Sequence, residues 1–215
     1  MFASEQQTKE LEAVFRKGSR LTYKKGEFII RPGESPPGVF FIDKGLVKAY
    51  DITKYGEENL LVIRQATELF PLIWAITGQE RSIVYEAITA TEVCQIKRED
   101  FLDHLHKHPD ALAPLLDMAL EMYRIHSERI INLEYRSVRE RLISFLLTMA
   151  NRFGTQNSSG TLIEVPLRHQ DIASSINASR ETASRELSAL ERKGLLINKQ
   201  SMITLVDTDK LHKYL

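Results

Sequence analysis

A single cysteine, Cys94, in 215 residues rules out a disulfide within the chain. It also leaves an iron–sulfur cluster short of thiolates, unless a second chain supplies them. Cys94 lies in the alternation Val93-Cys94-Gln95-Ile96, which reads as a half-buried strand thiol and not as a redox sensor. Long apolar runs are missing too. The longest, LFPLIWAI at 69–76, is far too short to span a bilayer. The opening MFASEQQTKELEAVFRKGSR is too mixed and polar for a secretory segment, so a cytoplasmic protein with no membrane partner is expected. Histidine is absent before residue 104; the six lie at 104, 106, 108, 126, 169 and 212. A β barrel formed by the earlier residues therefore has no imidazole to offer a metal. His104-Leu-His106-Lys-His108 reads as a solvated helix end with His104 and His108 on one face, and no metal site is expected. There is no nucleophile–base set and no Gly-rich phosphate loop followed by Lys. An enzyme is not expected.

Net charge is zero, with 29 Lys+Arg against 29 Asp+Glu. The charge is unevenly spread, however: residues 137–215 carry 11 Lys+Arg against 8 Asp+Glu, and residues 1–136 carry 18 against 21. A basic C-terminal part behind an acidic N-terminal part fits a nucleic-acid-binding domain attached to something else. A content of 43% hydrophobic and 27% charged residues describes a globular chain, long enough for one large or two small domains.

Residues 20–100 alternate β-rich runs with turn residues. VFFI (39–42), LVKAY (46–50), NLLVI (59–63) and SIVYEAI (82–88) are separated by punctuation such as Arg31-Pro32-Gly33-Glu34, Asp43-Lys44-Gly45 and Tyr55-Gly56-Glu57. That rhythm predicts a jelly roll or barrel, preceded by a short helix over 4–18. From Pro109 to Tyr135 no Gly occurs and the pattern becomes helical. Leu112, Leu115 or Leu116, Ala119, Met122, His126, Ile130 and Leu133 recur at three- and four-residue steps, the seam of a coiled coil. Pairing with its own copy in a second subunit is the preferred reading; packing on its own β domain is the other. Residues 137–153 form an amphipathic helix, FGTQNSSG at 153–160 a loop, and TLIEVPL a strand.

The most informative stretch is RHQDIASSINASRETASRELSALERK at 168–193. Ile172, Ala173 and Ile176 form the apolar stripe of a short helix. Asn177 stands at a corner that needs a left-handed residue. Ser179 caps a second helix. There Ala183, Leu187 and Leu190 point one way, while Arg180, Glu181, Ser184, Arg185 and Ser188 point the other. Polar groups in the first turns of a second helix are what a helix-turn-helix needs in order to read a major groove. Arg can bond guanine O6 and N7 together, and Glu can accept from cytosine N4. An ordinary amphipathic pair with a solvated face shares the periodicity, and a first-turn Glu also suits the helix dipole. Gly194 ends the helix, and LLIN with MITLV forms a hairpin around Lys199-Gln200-Ser201.

SRETASREL followed by LERKGLL resembles the recognition helix and wing of the Crp–Fnr family, and the likeness runs from about Tyr23 to Leu205. The resemblance implies an α+β chain. Residues 1–108 would be a β-roll (jelly roll) of the cyclic-nucleotide-binding type, 109–136 a long dimerisation helix, and 137–215 a winged helix-turn-helix. It further implies a homodimer on double-stranded DNA, with RNA polymerase as a further partner and a small-molecule effector in the roll. Arg180, Glu181 and Arg185 stand where the family places its base readers, so near-palindromic sites with TGTGA-like half-sites are expected. Ser179 and Thr182 would hold phosphates, and Ser184, Arg168, His169 and Lys199 complete the candidate DNA-contacting set.

GQERSIVYEA resembles the second half of the family's phosphate-binding cassette, so Arg81 and Ser82 would grip an anion. Two departures concern the ligand. Pro71-Leu72 replaces the Gly-Glu whose carboxylate accepts from a ribose hydroxyl, and the segment from there to Arg81 is one residue shorter. A buried hydroxyl without its acceptor costs about 1–3 kcal/mol. Likewise His126-Ser127 replaces a Thr-Ser pair that faces adenine. Leu72, His126 and Ser127 therefore join the candidate ligand set, the effector is unnamed, and a cyclic nucleotide is disfavoured. His126 reads first as a register element of the seam, with a ligand contact or a proton-linked switch as alternatives. Trp74 either belongs to the core or fills space that a nucleotide uses elsewhere. A regulator of the same fold without a ligand, or a small-molecule-binding protein-interaction module, are the remaining readings of the whole.

Overall fold

The computed structural model describes residues 2–215, which divide into two compact units. The first comprises residues up to 57 together with 61–123; the second comprises 58–60 with 124–215. No helix among the described residues is long and apolar enough to cross a membrane.

The first unit opens with helix α1 (Glu5–Phe15), started by a capping box in which Ser4 and Gln7 satisfy each other's backbone N–H. Strands β1 (Ser19–Tyr23), β2 (Phe28–Ile30), β3 (Val39–Lys44), β4 (Val47–Ile52), β5 (Glu58–Arg64) and β6 (Leu69–Phe70) follow. A short helix α2 (Leu72–Thr77) precedes β7 (Ile83–Ala87) and β8 (Thr91–Ile96), then helix α3 (Arg98–Lys107). A 3-10 turn at Pro109–Ala111 leads into the 24-residue helix α4 (Leu112–Tyr135).

The strands form two four-stranded sheets, β1-β8-β3-β6 and β2-β7-β4-β5, as the turn rhythm predicts for a roll. Strand β3 explains the unbroken VFFI run. Phe40 and Ile42 join Val47, Ala49, Phe70 and Tyr85 in one apolar cluster. Val39 and Phe41 join Leu11 and Phe15 of α1 and Phe101 and Leu105 of α3 in another. A strand covered on both faces loses its alternation and reads as a continuous apolar run. Gly45 turns β3 into β4 at φ 95°, and a Cβ there would stand 2.4 Å from the Ala90 carbonyl oxygen, so no other residue fits.

Cys94 is a strand thiol, as expected, but fully and not half buried, and its Sγ donates to Asp43 Oδ2 at 3.1 Å. Burial and that carboxylate push its pKa from the ordinary 9.0 up to about 11. The folded chain therefore holds the thiol proton more tightly than the unfolded chain does. The thiol leaves stability untouched below about pH 9 and lowers it as pH rises towards 11. Because thiolate is the reactive form, iodoacetamide at pH 7.5 should label Cys94 only after denaturation. Stoichiometric labelling of the native protein within minutes would contradict this.

The second unit contains α5 (Val138–Phe153), β9 (Gly154–Asn157), β10 (Gly160–Ile163), α6 (His169–Ser175), α7 (Arg180–Arg192), β11 (Leu196–Lys199), β12 (Met202–Leu205) and α8 (Thr208–His212). Its sheet runs β11-β12-β10-β9. The 153–160 segment is not a loop, as the sequence reading had it. Thr155 and Gln156 pair with Leu162 and Thr161, because a neighbouring strand supplies hydrogen bonds that polar side chains do not advertise. The TLIEVPL strand is correspondingly shorter and stops at Ile163. Lys199 is the last residue of β11, paired with Met202, with the turn itself formed by Gln200 and Ser201.

Candidate nucleic-acid interface

Helices α6 and α7 are held at their corner by local chemistry. Asn177 takes φ 49°, the left-handed conformation its place in the sequence calls for. Backbone N–H groups of Ile176 and Ala178 bond back to the Ile172 and Ala173 carbonyls, at 3.1 and 3.0 Å. Arg141 of α5 donates to the Asn177 carbonyl at 3.2 Å. Ser179 then caps α7, its Oγ accepting from the Thr182 N–H at 3.1 Å. Ile172, Ala173, Ile176, Ala183, Leu187 and Leu190 are all buried, so both apolar stripes meet in one core.

The opposite face of α7 is open. Arg180, Glu181, Arg185 and Ser188 are exposed and Ser184 is half-buried. Arg180 and Arg185 take part in no hydrogen bond or ion pair among the described residues. Glu186, between them and the core, is instead held by Arg139 at 2.7 Å. The Glu181 carboxyl lies below the usual carboxylate range, held there first by its own backbone N–H, then by the Ser179 hydroxyl and the Arg180 charge. It is an ionised acceptor at neutral pH. Two guanidinium forks, free on this exposed helical face, and an ionised carboxylate beside them can bond base edges.

The flanking candidates differ in their freedom. Arg168 engages Asp171 through two nitrogens at 2.8 and 2.7 Å, and Glu58, grouped with this unit, at 3.2 Å. His169 Nε2 lies 3.4 Å from Asn198 Nδ2 of the wing. The Ser179 hydroxyl donates to Thr182 Oγ1 at 3.1 Å. Lys199 is exposed.

The candidate ligand residues fall in both units: Leu72, Arg81 and Ser82 in the first, His126 and Ser127 on α4 in the second. Arg81 and Ser82 are exposed in the coil before β7. Glu80 beside them accepts from the Ser35 hydroxyl at 2.7 Å. Two side chains that sequence reading passed over belong near this place. The Tyr85 hydroxyl is pushed up by burial, against the positive charges of Arg64 and Arg81, so both guanidiniums lie within electrostatic reach of it. Arg64 is itself only 6% exposed; it pairs with Glu68 at 3.2 Å, and its Nε has no partner. The one available signal was a charge ending the apolar run NLLVIR. Leu72 and Trp74, both half-buried, pack against the Leu11–Phe15–Phe101 cluster.

Residues 140–214 match the family described as the Crp-like helix-turn-helix domain, and residues 20–108 the cyclic nucleotide-binding domain. Over 209 residues, 93% of this chain and 92% of the relative, the sequence is 31% identical to the global nitrogen regulator of Synechocystis sp.. The chain belongs to the Crp–Fnr family of DNA-binding transcription regulators. Solved structures agree in fold. A mutant of CooA from Carboxydothermus hydrogenoformans superposes with a TM-score of 0.79 at 21% identity, covering 94% of this chain and 89% of that one. FixK2 from Bradyrhizobium japonicum gives 0.78 at 24%, covering 91% and 96%.

Within a Crp–Fnr regulator the roll is the ligand-binding domain, and its residues here can be tested against a cyclic nucleotide. Arg81 and Ser82 suit an anion: a fork and a hydroxyl, both accessible. A ribose is poorly served. Leu72 has no acceptor to offer, and it is occupied by apolar packing.

Proposed function

We propose that the chain works as a homodimer that reads a near-palindromic operator with TGTGA-like half-sites. Arg180 and Arg185 read guanines, Glu181 accepts from the cytosine opposite, and Ser179, Thr182, Ser184 and Lys199 meet the backbone. Arg168 and His169 support that contact from the start of α6. The observation that carries this reading is the exposed trio Arg180, Glu181 and Arg185, with both guanidiniums unengaged, on a helix whose other face is buried. Two such helices in successive major grooves stand about 34 Å apart, which sets the half-site spacing at one helical turn.

Pairing through α4 is supported by its exposed apolar stripe: Leu112, Leu116, Leu120, Tyr123 and Ile130. Protomers that bury such a stripe against its own copy form an isologous interface. A small anionic effector held by Arg81 and Ser82 shifts the population between DNA-binding and non-binding arrangements. The protein acts in the cytoplasm by binding and not by catalysis, and RNA polymerase is its partner at the promoter.

Selection from random duplexes tests the reading. A symmetric motif with two TGTGA-like halves is the expected outcome, and affinity should fall steeply with salt. An asymmetric or empty selection, or salt-independent binding to protein partners, would overturn it in favour of an interaction module. A regulator without any ligand is the second reading. It is favoured if the operator is bound tightly and no anion alters the affinity.

A further inference from the structure

The second unit holds a cleft of about 410 Å3 at the elbow between α4 and α5. One wall comes from the end of α4 and its link to α5, where Arg124, Glu128, Asn132 and Arg136 recur every four residues and so share a side. Leu147, Thr148 and Asn151 of α5 face them, and His212 of α8 closes one edge. The elbow is pinned from within: the Asn132 amide donates to the hydroxyl of buried Ser144 at 2.8 Å. At 100° per residue, Leu112, Leu116, Tyr123 and Ile130 leave α4 on another side. The cleft row is therefore not part of the stripe that pairing would cover.

Positive charge and hydrogen-bond donors are left over in this cleft. Among the described lining residues the one acidic side chain is Glu128, and Arg124 already holds it at 2.7 Å. The Arg136 side chain makes no hydrogen bond or ion pair among the described residues. Glu140, whose carboxyl feels the Arg136 charge, is committed elsewhere: it accepts from the Ser137 N–H and hydroxyl at 2.7 and 2.6 Å. Asn151 and His212 are exposed, and their side chains are likewise unengaged. A guanidinium, an amide and an imidazole can all donate to one acceptor group. Ile131 and Leu147 add apolar surface beside them. Sites for small organic ligands combine these features, an apolar lining with a few convergent polar groups, in volumes of about 300–1,000 Å3.

We propose that this cleft binds a small organic anion, with its charged end on Arg136, Asn151 and His212 and its apolar body against Ile131 and Leu147. The site is separate from Arg81 and Ser82, which belong to the first unit, and does not depend on what the roll holds.

Histidine labelled with carbon-13 in the ring reads the site by NMR in the full chain, since His212 borders the cleft and the other five histidines do not. His212→Gln assigns the resonance, and sodium octanoate at fixed ionic strength is the probe. The His212 resonance should move and saturate. Arg136→Gln should raise the octanoate dissociation constant about tenfold or more, because it removes a charge-assisted contact. Inorganic phosphate, a charge without an apolar body, should bind at least about tenfold more weakly than octanoate. If Arg136→Gln loses its helical circular dichroism, Asn151→Asp at its exposed position replaces it and should weaken binding by a similar factor. A His212 resonance that does not move, a response confined to another histidine, or parental affinity in the folded variant overturns the site. Phosphate binding as tight as that of octanoate overturns the organic class.

Discussion

Arg185→Ala in both protomers should weaken binding to the selected operator by roughly 30-fold to more than 10,000-fold. A bidentate Arg–guanine pair contributes about 1–3 kcal/mol of discrimination, and a palindrome loses two of them. The loss should be confined to one base position in each half-site. Against duplexes altered at that position the variant and the parent should bind alike. Arg185→Lys separates fork from charge. It keeps the positive charge, so the slope of affinity against salt stays the same, but it lacks the planar pair of donors and should lose most of the discrimination. Fluorescence anisotropy at fixed ionic strength, with a panel of single-base variants, reads both quantities. A uniform loss over all sequences, with the salt slope reduced by about one, would make Arg185 a phosphate contact and remove it from the base-reading set. Arg180→Ala should behave in the same way at a neighbouring position, since its guanidinium is equally exposed and unengaged.

The second large effect concerns pairing. Leu120→Glu combined with Ile130→Glu places two carboxylates on the apolar stripe of α4, at side chains that are 54% and 58% exposed in the protomer. Each protomer should fold as before, because neither position contributes to its buried core. Association should be lost, since four like charges would meet in a seam with no counter-ions. Operator affinity should then fall by about 1,000-fold or more, towards the non-specific level, because one reading head no longer brings the other with it. Inserting half a helical turn between the half-sites should reproduce that loss with the parent protein. A double variant that is monomeric yet keeps full operator affinity would show that one head suffices, and a double variant that remains dimeric would place the interface elsewhere.

Much of the DNA-binding unit was legible in the sequence, for a local reason. The i, i+3, i+4 periodicity of Ala183, Leu187 and Leu190 is a property of the helix itself, and it fixes which side chains point outwards. Asn177 and Ser179 are local signals too: a left-handed corner and a hydroxyl cap are settled within a few residues. The roll was legible from its turns, of which Gly45 is the clearest. Less was legible where several registers satisfy one pattern. Leu115 and Leu116 suit the α4 seam equally on paper, yet Leu115 is buried with the Phe101 cluster and Leu116 is exposed. Only packing by α1 and α3 separates them. The β9 strand, made of Gly, Thr, Gln and Asn, carries no apolar alternation and is defined by its pairing with β10.

By itself the sequence determined the family, the order of roll, long helix and helix-turn-helix, and the outward face of α7. The family follows from the resemblance carried by SRETASREL and LERKGLL, whereas the element order and the outward face of α7 follow from periodicity and turn chemistry that act over a few residues. Tertiary structure decided which charged side chains are spoken for. Arg168 meets Glu58 across 110 positions, whereas Arg180 and Arg185 meet no partner among the described residues. It also decided that Leu72 packs with the helices beside α4, and that Arg64 is buried near Tyr85. A side chain's partner depends on which distant segments the core brings together, and no local pattern encodes that.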